Sequence, residues 1–539
     1  MPDAQPDYPL FRFPQERTAI VGETVRRALA LTLQKASPEY ALNDVCLHEI
    51  RRLSEGGAGP EEVRDLQAWR RLWRRIGALS PQERIAELSQ LIQEYAEDVA
   101  GGFNPVVYQL ASRVVPPALG VLLTPEGLAG VPRALTSSGL EALLSQRLLL
   151  QGPLERLRAL ARGGTLVCVP THLSNLDSPV MGYALQLAQL PPTTYGAGKN
   201  LFTNPVLGFF MRNCGAYRVD RRIRHDLYKD VLKCYAQVLL ERGYHSMFFP
   251  GGTRSRSGRV EAHLKLGLLG TTLPATVARF RRQRGLECGP AVRPIYIVPA
   301  TINFQLTLEA ETLVADYLKE TGRARFIIDD DESAQPLKMV RFARSLLRLS
   351  GAVVVRFCEP LDVLGQPVDD QGRSLDPRGR PVDLARYFEY RGQVQTLPQR
   401  DAEYTRECAE AITSSYRRNT VLLATHLLAH VVWRRLCAAL PEYDLYRRLR
   451  QPVDLRLGVQ EVCTDLEALQ QDLLRRGHLL GPGADGPARG VVETALRAFE
   501  SYHAEPAVVR VQAEPLVVSP GDRQLLFYYQ NRVESLEVR

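Results

Sequence analysis

The spacing of apolar residues changes along this chain, and the changes divide it. From about residue 15 to residue 135, apolar positions recur at helical intervals with short breaks. Within Glu61–Ile76, Val63, Leu66, Trp69, Leu72, Trp73 and Ile76 fall near one helix face, with Arg64, Arg70, Arg71, Arg74 and Arg75 interleaved. Such a face suits a membrane surface or ordinary packing on the next domain; packing is the plainer reading, since tryptophan fills helix interfaces equally well. Ser80-Pro81-Gln82-Glu83 has the form of a capping box and predicts a helix through Tyr95.

From about Leu140 short apolar runs alternate with helical stretches. Strands are predicted at Thr165–Val169, Thr193–Ala197, Ala216–Val219, Ser246–Phe249, Arg293–Pro299 and Ala352–Phe357, with helices at Asp226–Arg242 and Ala262–Phe280 between some of them. The alternation predicts an α/β fold: a mixed, largely parallel sheet flanked by helices, with helical N- and C-terminal regions. Gly365–Pro381, rich in Pro, Gly and Asp, reads as an exposed loop or hairpin. Helices at Ala402–Asn419 and Val421–Leu440 follow, then a loop at Gly481–Gly490 and a last helical portion; no internal repeat is expected. The division is therefore 1–135 (helical), 136–365 (α/β) and 366–539 (mainly helical).

With 539 residues, 45% hydrophobic and 24% charged, the chain has room for several cores and the make-up of an ordinary soluble protein. A net charge of +8 favours anionic partners: phosphorylated substrates, an anionic membrane face or nucleic acid. The last rests on charge only, with no recognisable module, and nucleic acid is not expected as a partner. Nine cysteines without a C-x-x-C pair suggest reduced, buried thiols in a cytosolic compartment. Met1–Leu10 lacks the basic and apolar regions of a signal peptide. The longest apolar run, Val421–Trp433, is interrupted by His426 and His430 and falls short of a membrane span, so membrane contact is expected to be peripheral.

The stretch Thr165–Asp177, T-L-V-C-V-P-T-H-L-S-N-L-D, concentrates the candidate chemistry. A buried strand ends at Pro170, His172 lies in the loop, and Asp177-Ser178-Pro179 reads as the cap and first turn of a helix. A histidine and an aspartate are thus held at the mouth of a strand–loop–helix unit, where open α/β sheets carry their ligands. The spacing alone decides nothing, because His225 and Asp230 repeat it. There the segment reads as helix, five residues subtend about 500°, and the side chains point apart on what is expected to be a solvated face.

Two further blocks follow strands of the same expected sheet. Gly215–Arg222 (G-A-Y-R-V-D-R-R) delivers arginines at a strand end. Phe248–Gly258 (F-F-P-G-G-T-R-S-R-S-G) opens a buried strand into a glycine-rich loop whose N–H groups and arginines suit an anion. Each is weak alone, since arginines after a strand are usually just solvated; three in order are specific. Gly481–Gly486 fits G-x-G-x-x-G but follows a helical segment and reads as a linker. His426 and His430, four apart in an apolar run without a catalytic glutamate, read as packing residues and not metal ligands. Neither a G-x-S-x-G elbow nor a P-loop is present.

In these blocks the sequence resembles the glycerolipid acyltransferase superfamily. T-H-L-S-N-L-D is similar to its H-x4-D motif, G-A-Y-R-V-D-R to its second, F-P-G-G-T-R-S-R to its third, and Ile297–Ala300 (I-V-P-A) to its fourth, collinear over about Leu154–Ala300. Ala197–Met211 and Lys265-Leu266-Gly267 also look like family sequence. The helical arms and the terminal L-L-F-Y-Y-Q-N-R from Leu525 resemble the large glycerol-3-phosphate acyltransferases. The resemblance implies His172 as general base and Asp177 as its orienting carboxylate, with Arg221, Arg254 and Lys265 on the acceptor phosphate. Arg218, Gly252, Thr253, Ser255 and Pro299 would support them. It implies acyl-CoA or acyl-carrier protein as donor, the sn-1 hydroxyl of glycerol 3-phosphate as acceptor, and no metal or bound cofactor. Phospholipid biosynthesis on the inner face of the cell membrane, with peripheral contact to anionic lipid, would be the setting. Dihydroxyacetone phosphate, lysophosphatidate or a catalytically weakened lipid-binding role are the alternatives. They arise because the third motif's glutamate is missing: Gly251, or Pro250 in another register, stands there, and Asp220 or Glu261 is a candidate replacement.

Overall fold

The computed structural model describes residues 8–55, 60–112, 148–202, 205–321, 353–512 and 515–537. The expected boundary at 135/136 and most of the N-terminal stretch read against a signal peptide lie outside them. Four helices open the chain: α1 (Phe13–Lys35), α2 (Pro38–Glu55), α3 (Pro60–Arg75) and α4 (Pro81–Val99). The capping box of α4 is formed in both directions, Glu83 N–H to Ser80 Oγ and Ser80 N–H to Glu83 Oε2. These helices share an apolar core closed by Leu227, Val231 and Cys234. Trp69 and Leu72 pack against it, while Trp73 stays 46% exposed, so the apolar face of α3 is only partly covered.

The sheet has seven strands: β1 (Leu148–Gln151), β2 (Thr165–Pro170), β3 (Thr194–Gly198), β4 (Ala216–Val219), β5 (Ser246–Met247), β6 (Ile295–Phe304) and β7 (Val353–Phe357). Their order is β1-β7-β6-β2-β5-β3-β4. β2 runs parallel to β5 and β6, and β3 parallel to β4 and β5, so these strands end on one edge. β7 pairs antiparallel with the second half of β6, and β1 parallel with β7. All six residues of β2 are buried, as a central strand covered on both faces requires. Flanking helices are α5 (Leu154–Gly163), α6 (Asp177–Leu187), α7 (Pro205–Asn213), α8 (Asp226–Glu241), α9 (Thr272–Gln283) and α10 (Ala310–Thr321).

The C-terminal region contributes α11 (Pro398–Asn419), α12 (Ala424–Ala439), α13 (Val459–Arg475), α14 (Ala488–Tyr502) and α15 (Arg523–Glu537). It does not have a core of its own. Val167 and Ile297 of the sheet belong to one apolar cluster with Leu428, Phe499 and Tyr529.

Several expectations are corrected. β1 was not foreseen, and β6 runs to Phe304 because its last five residues find β7 as partner. The segment Ala262–Phe280 is helical only from Leu266 and breaks at Gly270. Val421-Leu422 is a short strand paired with Leu479-Leu480, so the glycine-rich turn at Gly481 follows a strand and not a helix. His225 and Asp230 are buried, not solvated: His225 caps α8 by accepting the Tyr228 N–H, and Asp230 pairs with Lys35 at 2.6 Å. They do face different partners. Of the nine free cysteines, Cys288 is exposed and Cys214 and Cys437 half-buried.

Residues 361–381 contain a seven-residue repeat, contrary to the expectation of none. Asp362, Asp369 and Asp376 each accept on Oδ1 the N–H groups two and four residues on. Gly365, Gly372 and Gly379 take positive φ at equivalent places. Three hairpin turns follow one another, the first bridged to β6 at Ile297.

Candidate active site

The carboxyl ends of β2 and β5 bring two loops together. Leaving β2, Thr171 N–H donates to Ala300 O, and Thr171 Oγ1 accepts the Ile302 N–H, which fixes the chain before it turns. His172 follows, its ring stacked on Phe249 at 4.3 Å between centroids and 24° between planes. Its Nδ1 lies 2.7 Å from Asp177 Oδ2. That oxygen also accepts the Leu173 N–H at 2.5 Å and the Ser174 N–H at 2.9 Å. Asp177 is therefore the first residue of α6 with its carboxylate turned back into the preceding loop; Leu176 holds the cap position, against the expectation that Asp177 would. Asp177 is fully buried, whereas the His172 side chain keeps 16% of its surface exposed.

A carboxylate can only accept hydrogen bonds, so Nδ1 of His172 carries a proton and Nε2 keeps its lone pair. The tautomer that leaves Nε2 free to take a proton is built in.

The loop after β5 closes over this unit. Ser255 N–H donates to His172 O at 2.8 Å, and Ser255 Oγ donates to Arg259 O. Arg254 lies 3.6 Å from Glu309, whose carboxylate also accepts Ser174 Oγ–H at 2.8 Å and Asn175 N–H at 3.0 Å. Burial pushes the Glu309 carboxyl up, and Arg254 pulls it back. Gly252 adopts φ +75°, and a Cβ there would strike the Lys265 side chain at 2.5 Å, so Lys265 lies across the glycine. Lys265 itself is exposed and donates its N–H to Pro250 O. Thr253 is exposed; Pro299 is buried in β6 opposite Val169.

The second block is set apart. Arg221 is exposed just beyond β4, and β4 lies three strands from β2 in the sheet. Arg218 pairs with Asp98 of α4 at 2.8 Å and lies over Phe202, and Asp220 faces Lys199 and Arg222. Asp220 thus belongs to the β4 end.

Glu261 is the carboxylate beside Gly251. A Cβ at Gly251 would lie 3.2 Å from Glu261 Cγ and Oε1, so the missing side chain is the space that Glu261 uses. Its Oε1 accepts the His172 N–H at 2.7 Å. In this neighbourhood Glu309 and Tyr416 had no signal in the local sequence, and Arg532 was seen only as the last residue of L-L-F-Y-Y-Q-N-R, with nothing to link it to the site. Tyr416 donates to Val169 O from α11, 247 residues away, and Arg532 enters from α15. Among the described residues no group of His, Cys, Asp and Glu is arranged to hold a metal ion.

A sheet with its candidate chemistry at the carboxyl edge, a histidine–aspartate pair and an arginine-bearing glycine loop are the features of a group-transfer domain. Residues 153–303 match the protein family described as Acyltransferase. The chain is 31% identical over 211 residues to a glycerol-3-phosphate acyltransferase of Pseudomonas aeruginosa and 33% identical over 211 residues to one of Actinobacillus pleuropneumoniae. One of Histophilus somni is 32% identical over 212 residues. Each match takes in 39% of this chain and 23% of the relative, so the chain spans about a quarter of the length of the curated relatives it matches. It is over residues 153–303, which hold β2 to β5 and most of β6, that this chain is similar to the Acyltransferase family.

Proposed function

We propose that the protein is an O-acyltransferase that moves a fatty acyl group from acyl-CoA or acyl-carrier protein to the sn-1 hydroxyl of glycerol 3-phosphate. The observation that carries this is the His172–Asp177 hydrogen bond at 2.7 Å, with the imidazole open to solvent and Arg254 in the adjoining loop. His172 Nε2 takes the proton of the acceptor hydroxyl as its oxygen attacks the thioester carbonyl. The tetrahedral intermediate collapses by breaking the C–S bond, and the imidazolium returns the proton to the leaving thiolate. Asp177 steadies the imidazolium without being protonated. Arg254, Arg221 and Lys265 hold the acceptor phosphate and so aim its hydroxyl.

The setting we infer is the cytoplasmic face of the membrane, in phospholipid synthesis. The net charge of +8 and the exposed Trp73 among the arginines of α3 favour peripheral contact with anionic lipid. The experiment is an acyl-transfer assay of the purified chain with labelled acyl-CoA and acyl-carrier protein against glycerol 3-phosphate, dihydroxyacetone phosphate and lysophosphatidate. Glycerol 3-phosphate is expected to be acylated fastest. Preference for another acceptor would move the substrate assignment, and no thioester consumption with any would leave a lipid-binding homologue.

A further inference from the structure

Behind the His172 loop lies a buried group of polar atoms that the proposed reaction does not use. Arg532, on the C-terminal helix α15, is 2% exposed. Only its Nη2 is bonded, to Ile302 O at 3.4 Å and Asn303 Oδ1 at 3.2 Å. Its Nε and Nη1, Oε2 of Glu261 and Oδ1 of Asp177 are all buried and make no hydrogen bond to the described residues. Donors without acceptors and carboxylate oxygens without donors thus lie around one junction, where Ser535 Oγ of α15 takes the Val260 N–H next to Glu261 and itself donates to Arg532 O. A guanidinium held this far from water requires an anion nearby. Burial lowers the Arg532 pKa, and Glu261, Tyr528 and Asp177 draw it back up; burial raises that of Glu261, and the His172 N–H and then Arg532 oppose it. Other titratable groups around them include Tyr416 and His172, which act on Glu261, Glu309, which acts on Tyr528, and His426, whose pKa burial and then Arg532 push down.

The helix is fastened to the same loops. Asn531 Nδ2 donates to Ser257 O at 2.8 Å, Arg259 pairs with Glu534 at 2.9 Å, and Ser535 Oγ accepts the Val260 N–H. Gly258, at φ +75°, lets the Tyr528 carbonyl approach to where a Cβ would sit 2.3 Å away.

We propose that Arg532 is a positioning residue: it is the counter-charge that keeps Glu261 ionised, and Glu261 in turn holds the His172 peptide N–H and the ring above it. This makes the C-terminal helix part of the support of the active site, and it rests on the reading of His172 as the base. The test follows the His172 imidazole by NMR pH titration in the full chain, which needs no turnover. Glu261→Gln removes a negative charge near the ring and is expected to lower the His172 pKa by about half a unit or more. In an Arg532→Met background the counter-charge is gone and Glu261 is expected to be protonated, so the same substitution is expected to produce no further shift. Acyl-transfer kcat should fall about tenfold in each single variant and no further in the double one, with the acceptor KM little changed. Arg532→Lys keeps the charge and should restore the Glu261→Gln shift; it carries the test if Arg532→Met does not fold. Equal Glu261→Gln shifts in both backgrounds, or a His172 titration insensitive to Glu261→Gln, would overturn the proposal. A wild-type chain without acyl transfer would instead remove the acyltransferase reading and leave the titration result standing.

Discussion

The chemistry of the site turns on which imidazole nitrogen carries the proton, and one carboxylate oxygen decides it. Asp177 Oδ2 takes three donors, His172 Nδ1 and the Leu173 and Ser174 N–H groups, so it fixes the loop and the ring together. In Asp177→Asn an amide oxygen can still accept the backbone donors. The amide NH2 is then free to turn toward the ring, which favours the opposite tautomer and takes the lone pair from Nε2. We predict a kcat loss of roughly 10³ or more for Asp177→Asn with the fold retained, measured by steady-state kinetics beside thermal unfolding; a loss under tenfold would contradict the role. The His172–Asp177 pair was legible in the sequence because both members lie in one short strand–loop–helix stretch, a context the equally spaced His225 and Asp230 lack. Glu309 was not, since packing alone brings it in from 135 positions away; the tail ending at Arg532 stood out, but not its place behind the His172 loop, which packing across 229 positions decides. Glu261 lay between: it could be named as a replacement carboxylate, but only the room left by Gly251 distinguishes it from Asp220.

At the scale of elements, strands buried on both faces announced themselves, and β2 and β4 begin where their apolar runs begin. Strands defined by their partner did not. β1 exists because β7 pairs with it, and the extension of β6 depends on a strand some fifty residues later. The turns at 361–381 were seen as loop sequence while their period was overlooked; the signal was there in Asp and Gly recurring every seventh residue. The helix α3 belongs to this scale too. The reading of it as a packed helix holds for Trp69 and Leu72, which rest on the N-terminal helices, whereas Trp73 is left 46% exposed beside arginines. We predict that the protein sediments with vesicles containing anionic lipid and releases them in high salt, and that Trp73→Ala weakens binding several-fold without altering turnover on a soluble acceptor. Equal binding to neutral vesicles, or no effect of Trp73→Ala, would exclude α3 as the docking element.

For the whole molecule, the arrangement is one of convergence. The α/β domain supplies the dyad and the arginine loop, the C-terminal helices share its core and reach the ends of β2 and β6, and the N-terminal helices brace α8 and β4. No described helix is long and apolar enough to cross a membrane. The central claim is that His172 Nε2 accepts the acceptor's proton during acyl transfer. Single-turnover transfer from labelled acyl-CoA to saturating glycerol 3-phosphate, comparing the intact chain with His172→Ala, tests it most directly. The account predicts a fall of about 10² to 10⁴ in the transfer rate with acyl-CoA binding preserved; an unchanged rate would contradict it.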